Sequence, residues 1–254
     1  MIDLHCHILP GVDDGAQSLS DSLNMARKAL EQGIHIIVAT PHHLNNSFEN
    51  PKRQILDRVE ELNQILQKES IDVKILPGQE IRVHGELIEG YTMGEILTVN
   101  HTPYVLVEFP SNHVPRYTEK LFYDLQMNGL IPVIVHPERN REIMERSELL
   151  YQLVKKGALT QITASSVTGD FGKKIKNFTL QLIEANLTHF IASDAHNLIN
   201  RTFRMREAFG VIQQKYGNEL VYYFEENAHL LIEGKAIYKE DPERIKRKKL
   251  FYLF

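Results

Sequence analysis

Cysteine is almost missing from this chain of 254 residues: Cys6 stands alone, which excludes an intrachain disulfide framework. Long apolar runs are missing too, and no stretch approaches the ~18 uninterrupted apolar residues a spanning helix needs. Met1 to Ala16 lack a basic n-region, and acids and histidines interrupt the apolar residues, so no signal peptide is expected there. Net positive charge is also absent. The formal value of −4 argues against a general nucleic-acid binder, which usually carries a basic field. No phosphate-cradling P-loop occurs, so nucleotide-driven phosphoryl transfer is not expected. These absences point to a cytoplasmic protein without membrane insertion. With 43% hydrophobic and 24% charged residues, the chain has the balance of an ordinary globular domain.

What is present is a regular alternation. Short apolar, β-branched runs recur at Ile2–Leu4, Ile34–Ala39, Val73–Leu76, Tyr104–Phe109, Ile131–Val135, Ala158–Thr163 and His189–Ala192. Little polar alternation interrupts them, as expected for strands buried on both faces of a parallel sheet. Helical patterns lie between. Leu19, Leu23, Ala26, Leu30 and Ile34 form one stripe, with Ser18 or Ser20 as cap and Gly33 as stop. Asn50-Pro51 opens another, whose stripe is Ile55, Val59, Leu62 and Leu66. Seven strand–helix units predict an α/β fold: a single domain over residues 1–254, built as a distorted seven-unit barrel. An open doubly wound sheet is the alternative. The stretch 241–254 reads as a basic, then aromatic tail: a solvated helix with a docked aromatic end.

Chemistry-bearing residues fall at the ends of these strands. His5 and His7 follow the first, His42 the second and Glu80 the third; Glu108 ends the fourth, His136 the fifth, and Asp194 and His196 follow the seventh. In a barrel the C-terminal strand ends converge on one mouth, so residues far apart in sequence become neighbours there. A lone His or Glu in such a place also serves as a cap or a turn residue, and Asp14 taken singly reads that way. The same residue types at six strand ends point instead to shared cations, because such groups clustered alone are mutually costly. Imidazoles and carboxylates without thiolate suit Zn, Mn, Fe or Co better than Ca. Eight or nine ligands imply two or three ions.

A multi-metal site lowers the pKa of water and clamps both oxygens of an in-line displacement. A phosphate monoester also wants fixed cationic forks, and Arg139 and Arg201 are the candidates. A cysteine-based mechanism fares poorly, since Cys6 sits between two candidate ligands and no arginine precedes Arg27.

His5-Cys6-His7 with Asp14, Thr40-Pro41-His42, Glu80, Glu108, His136-Pro137-Glu138-Arg139 and Ser193-Asp194-Ala195-His196 closely resemble the polymerase-and-histidinol-phosphatase superfamily. More narrowly they resemble the manganese-dependent tyrosine-protein phosphatases of Gram-positive capsule and exopolysaccharide systems. The resemblance implies a barrel with three ions, most simply Mn2+, with Fe, Zn, Co or Mg as alternatives. It implies that His5, His7, Glu80 and Asp194 hold one ion, that Glu80 bridges to a second held with Glu108 and His136, and that Asp14, His42 and His196 hold a third. Arg139 and Arg201 are then the phosphate-binding residues, a metal-bridging hydroxide the nucleophile, and an autophosphorylated bacterial tyrosine kinase tail the substrate. The competing expectations are a small-molecule phosphatase such as one acting on histidinol phosphate, an amidohydrolase cleaving C–N bonds, and a nonenzymatic metal-stabilised module.

Overall fold

A computed structural model describes residues 1–246. Nine strands occur among them: β1 (Ile2–Cys6), β2 (Ile36–Ala39), β3 (His42–His43), β4 (Lys74–Pro77), β5 (Glu80–Arg82), β6 (Tyr104–Glu108), β7 (Ile131–Val135), β8 (Leu159–Thr163) and β9 (Phe190–Ala192). The helices are α1 (Leu19–Glu31), α2 (Lys52–Lys68), α3 (Leu87–Thr92), α4 (Thr118–Met127), α5 (Arg141–Glu145), α6 (Glu148–Lys155), α7 (Ala164–Thr168), α8 (Lys173–Glu184), α9 (Met205–Tyr216) and α10 (Asn218–Ile232). The fold is α/β, and every strand pairing is parallel.

The strands form two sheets, ordered β1-β2-β4 and β3-β5-β6-β7-β8-β9. The seven expected runs are all strands. The two additional strands, β3 and β5, resume the direction of β2 and β4 after the breaks at Thr40-Pro41 and Gly78-Gln79. Pro41 has no N–H to donate, so a ladder cannot run through it unbroken. The free edges of the two sheets meet at β1 and the residues after β9: the Asp194 N–H donates to the His5 carbonyl and the His7 N–H to that of Ala195, at 2.8 and 2.9 Å.

Strand side chains divide between two buried layers. Ile2, Leu4, Val38, Leu106, Val133, Leu159 and Phe190 cluster with Ala228 and Leu231 of α10. Ile37, Ile81, Val107, Ile134 and Ile162 face the helices instead. The β1–β2 register slips between Asp3 and Cys6, so Leu4 lies in the first layer and Cys6 in the second. Such an irregularity re-aims side chains, here His5 and His7.

The stripe on α2 buries Ile55, Val59, Leu62 and Leu66, as its spacing predicts. On α1 the buried face is rotated from the expected one: Ser22, Met25, Ala26 and Ala29 are buried while Leu19 is exposed. Ser22 is drawn inward because its hydroxyl donates to the Ile8 carbonyl at 2.7 Å. Ser18 caps α1 in a reciprocal capping box with Asp21. In the tail, residues 241–246 carry no helix, and Arg244 pairs with Glu148 and lies over the Tyr151 ring. The aromatic end expected at Leu250–Phe254 lies outside the described residues.

Candidate metal centre

The parallel register itself builds the site. His42 of β3 is paired with Glu80 of β5, and Arg82 of β5 with Glu108 of β6. Backbone bonds between β1 and the residues after β9 bring His5 and His7 beside Asp194. His136 adopts a left-handed conformation at the end of β7, φ 38 and ψ 47, leading straight into a 3-10 turn over Pro137–Arg139. Asp194 is also left-handed, φ 52. Non-glycine residues held this way cost energy, and such strain collects at functional sites.

All nine expected ligand residues are brought together. Nε2 of His5 and Nε2 of His7 lie 3.2 Å apart, and both are within 3.5 Å of Glu80 Oε2 and Asp194 Oδ1. Glu80 spans the centre: Oε2 is 2.8 Å from His42 Nδ1 and Oε1 is 2.7 Å from His136 Nε2. Asp14 Oδ1 is 3.4 Å from Nε2 of both His42 and His196. Glu108 Oε2 stands 3.8 Å from His42 Nδ1 and 3.1 Å from Arg82. Three groups have ligand atoms mutually within 4.8 Å: His5, His7 and Glu80; His42, Glu80 and Glu108; and His7, Asp14, His42 and His196.

Two residues that sequence reasoning missed complete the arrangement. The Nδ1–H of His7 donates to Asp13 at 2.6 Å, and that of His5 to the Gln161 amide oxygen at 2.9 Å. His196 similarly donates Nδ1–H to the Asp194 carbonyl at 3.0 Å. In all three rings the Nδ1 bond turns Nε2 toward the centre, the orientation that a metal-binding histidine requires. Asp13 also accepts from the His42 and Gly15 N–H groups. The Asp13-Asp14 pair was a usable signal; nothing in Gln161, inside the strand that ends without a ligand, marked it. His43 points elsewhere, accepting from the Asn50 N–H at 3.1 Å.

The donor set fits cations. His42 Nδ1, Glu80 Oε2, Glu108 Oε2, Asp194 Oδ1 and His196 Nε2 are all buried and make no well-formed hydrogen bond, meeting only one another and charged neighbours at 2.8–3.5 Å. Buried polar atoms satisfied only by such ion-pair approaches suit a shared cation between them. Burial opposes a charge on His7, yet Asp13 at Nδ1, with Asp194 and Glu80 near Nε2, raises its pKa well above the usual imidazole value, so a proton competes with a cation for Nε2. Glu108 is pushed up to about 7 by burial and by the charge of Glu80. Burial, with the positive charge of Arg139, lowers His136 to about 3 and leaves it neutral. Cys6 is no competitor: burial raises its thiol well above the ordinary value, and Sγ faces the Ala195 carbonyl.

Arg139 and Arg201 both donate to Asp194 Oδ2, at 2.6 and 2.9 Å. They line one cleft of about 250 Å³ with His42, Glu108, Phe109 and His136. The partner that both arginines share is the buried Asp194, so neither forms a simple surface ion pair.

Imidazoles, carboxylates and two inward arginines at the ends of parallel strands define the kind of centre that metal-dependent hydrolases use. The chain belongs to the CpsB/CapC family of capsular polysaccharide synthesis, whose model matches residues 1–233. It is 52% identical to the tyrosine-protein phosphatase YwqE of Bacillus subtilis over the full length of both proteins. It is 31% identical to the tyrosine-protein phosphatase CpsB of Streptococcus agalactiae, across 93% of this chain and all of that protein. One solved structure superposes with a TM-score of 0.95 at 52% identity, covering 97% of this chain and 100% of the other. It comes from work on YwqE of Bacillus subtilis and CpsB of Streptococcus pneumoniae, described as unique metal-dependent tyrosine phosphatases.

Proposed function

We propose that this chain is a metal-dependent protein-tyrosine phosphatase, acting in the cytoplasm on a phosphotyrosine-bearing segment of a bacterial tyrosine kinase, and folded as one closed seven-unit barrel. The backbone bonds between β1 and the residues after β9 support closure. Full-length likeness to tyrosine-protein phosphatases, in a family of capsule synthesis, supports the substrate. One observation carries the metal chemistry: His5 and His7 near one end of the chain and His196 near the other are tied at Nδ1 so that their Nε2 atoms face the carboxylates of Glu80, Asp194 and Asp14.

In this reading His5, His7, Glu80 and Asp194 hold one ion. Glu80, Glu108 and His136 hold a second, and Asp14, His42 and His196 a third. Manganese is the proposed ion, and the imidazole–carboxylate set suits Fe, Zn or Co as well. When bound, the cations supply a lowered water pKa and a clamp on the reacting oxygens. The chain's own residues do the rest. The guanidinium forks of Arg139 and Arg201, held together by Asp194, receive the phosphoryl oxygens of a dianion. Asp13 and Gln161 hold the rings of His7 and His5 in orientation. Phe109 gives the same cleft an apolar wall for an aryl group. A phenol leaves with a pKa near ~10, which demands less protonation than an aliphatic alcohol.

The reading is tested by metal-supplemented turnover on a phosphotyrosine peptide, a phosphoserine peptide and histidinol phosphate. We expect kcat/KM on phosphotyrosine to exceed the others by about tenfold to a hundredfold. Preference for histidinol phosphate reassigns the site to a small-metabolite phosphatase.

A further inference from the structure

The residues just beyond two of the candidate ligands are apolar and stand in solvent. The segment after His196 carries Leu198 and Ile199, which are 42% and 89% exposed. That after His42 carries Leu44, 37% exposed, and Phe48, whose ring lies parallel to the His42 imidazole at 6.2 Å. His42 and His196 both approach Asp14, so the two segments leave the site from neighbouring points.

Neither segment is loosely built. The Asn197 side-chain oxygen accepts from the N–H groups of Ile199, Asn200 and Arg201. The base is closed by the N–H groups of His196 and Asn197 donating to the Arg201 carbonyl. The turn therefore fixes Ile199 at its apex and Arg201, facing Asp194, at its foot. Across the site, Asn45 accepts from the Ser47 and Phe48 N–H groups, and Leu44 is held at φ 56. A branched side chain held in solvent on a left-handed backbone is unfavourable in the free protein. Leu44 and Ile199 each stand two residues along the chain from His42 and Arg201, which line the charged cleft, and rigid apolar groups so placed are suited to a partner that brings both phosphate and apolar surface.

We infer that Ile199, with Leu198 and Leu44 on the segments that follow His196 and His42, forms a docking surface for an apolar side chain next to the phosphotyrosine of a polypeptide substrate. The inference rests on the phosphatase reading above. It makes selectivity for a protein segment over a free ester a property of the turn that also carries Arg201. The phosphate engages the foot of the turn while the neighbouring side chain covers its apex.

A substitution cycle tests this. Wild type and Ile199→Ser are assayed at saturating metal on three substrates: phosphotyrosine peptides with leucine at the flanking positions, the same peptides with serine there, and para-nitrophenyl phosphate. Ile199 is exposed and bears no ligand, so the fold tolerates the change. We expect KM for the leucine peptide to rise about tenfold with kcat unchanged. The serine peptide and the small ester should respond little. Equal effects on leucine and serine peptides overturn the contact, as does an equal loss on para-nitrophenyl phosphate, which shows that the change acts through Arg201. A wild-type dimer that becomes a monomer on substitution, with peptide selectivity untouched, assigns the surface to a second copy and also overturns it. If wild type hydrolyses the small ester but no phosphotyrosine peptide, the protein-phosphatase reading falls, and this inference with it.

Discussion

The two ends of the same strands are made of opposite materials. Toward one end Leu4, Leu106, Val133, Leu159 and Phe190 form a dry cluster with Leu231 of α10. At the other, His5, Glu80 and Asp194 are just as deeply placed and His136 nearly so, yet their atoms are imidazole nitrogens and carboxylate oxygens that apolar packing cannot satisfy. The apolar end gains free energy on burial; the polar end costs it unless something else binds there. Stability and chemistry are thus separated along a few residues of each strand.

Substitutions at the two ends should therefore fail differently. The largest effect is expected from His5→Ala combined with His7→Ala: turnover falls by about a thousandfold or more, while the metal-free protein melts within a few degrees of wild type. Wild-type turnover at saturating metal would remove both histidines from the site. Leu106→Ala should behave in the opposite way, losing about 2–5 kcal/mol in urea unfolding with little change in turnover below its melting range. A large activity loss in the folded variant would erase the distinction between the ends.

Arg139→Ala should lower kcat/KM by about a hundredfold and weaken inhibition by inorganic phosphate in parallel. An unchanged phosphate inhibition constant returns Arg139 to a structural partner of Asp194. A smaller effect sharpens the comparison outside the mouth. Burial, helped by the charge of Lys239, holds the His189 pKa down at about 3. Its unfolded value is near ~6.5, so between these values the unfolded state binds more protons. The stability contribution is full above ~6.5 and is lost as pH falls toward the folded value, amounting to about 1 kcal/mol by pH ~5.5. Asn keeps an acceptor for the Thr160 N–H but takes up no proton, so His189→Asn should flatten the acid limb of stability against pH. An equally steep limb places the acid sensitivity elsewhere.

Strand ends, and the clustering of imidazoles and acids at them, were legible because both rest on short-range pattern: a β-branched run, then His or an acid. The seven runs were found this way, as was the α2 stripe. The breaks that create β3 and β5 were not, since two- and three-residue strands carry too few side chains for periodicity to register. The α1 face was misplaced because Ser22 is buried through one hydrogen bond to Ile8, a tertiary contact that outweighs the apolar count. Asp13 and Gln161 were missed for a related reason. Their role lies in the ring nitrogen each meets, and only the assembled strands decide that. The arginines were found by type and position, but their shared hold on Asp194 could not be read from spacing.

The most direct test is a titration of metal into chelator-treated protein, followed at once by bound-ion stoichiometry and phosphotyrosine turnover. The account predicts no turnover in the metal-free protein, uptake of up to three ions per chain, and recovery of activity as they bind. Full turnover by protein shown to hold no metal would contradict it.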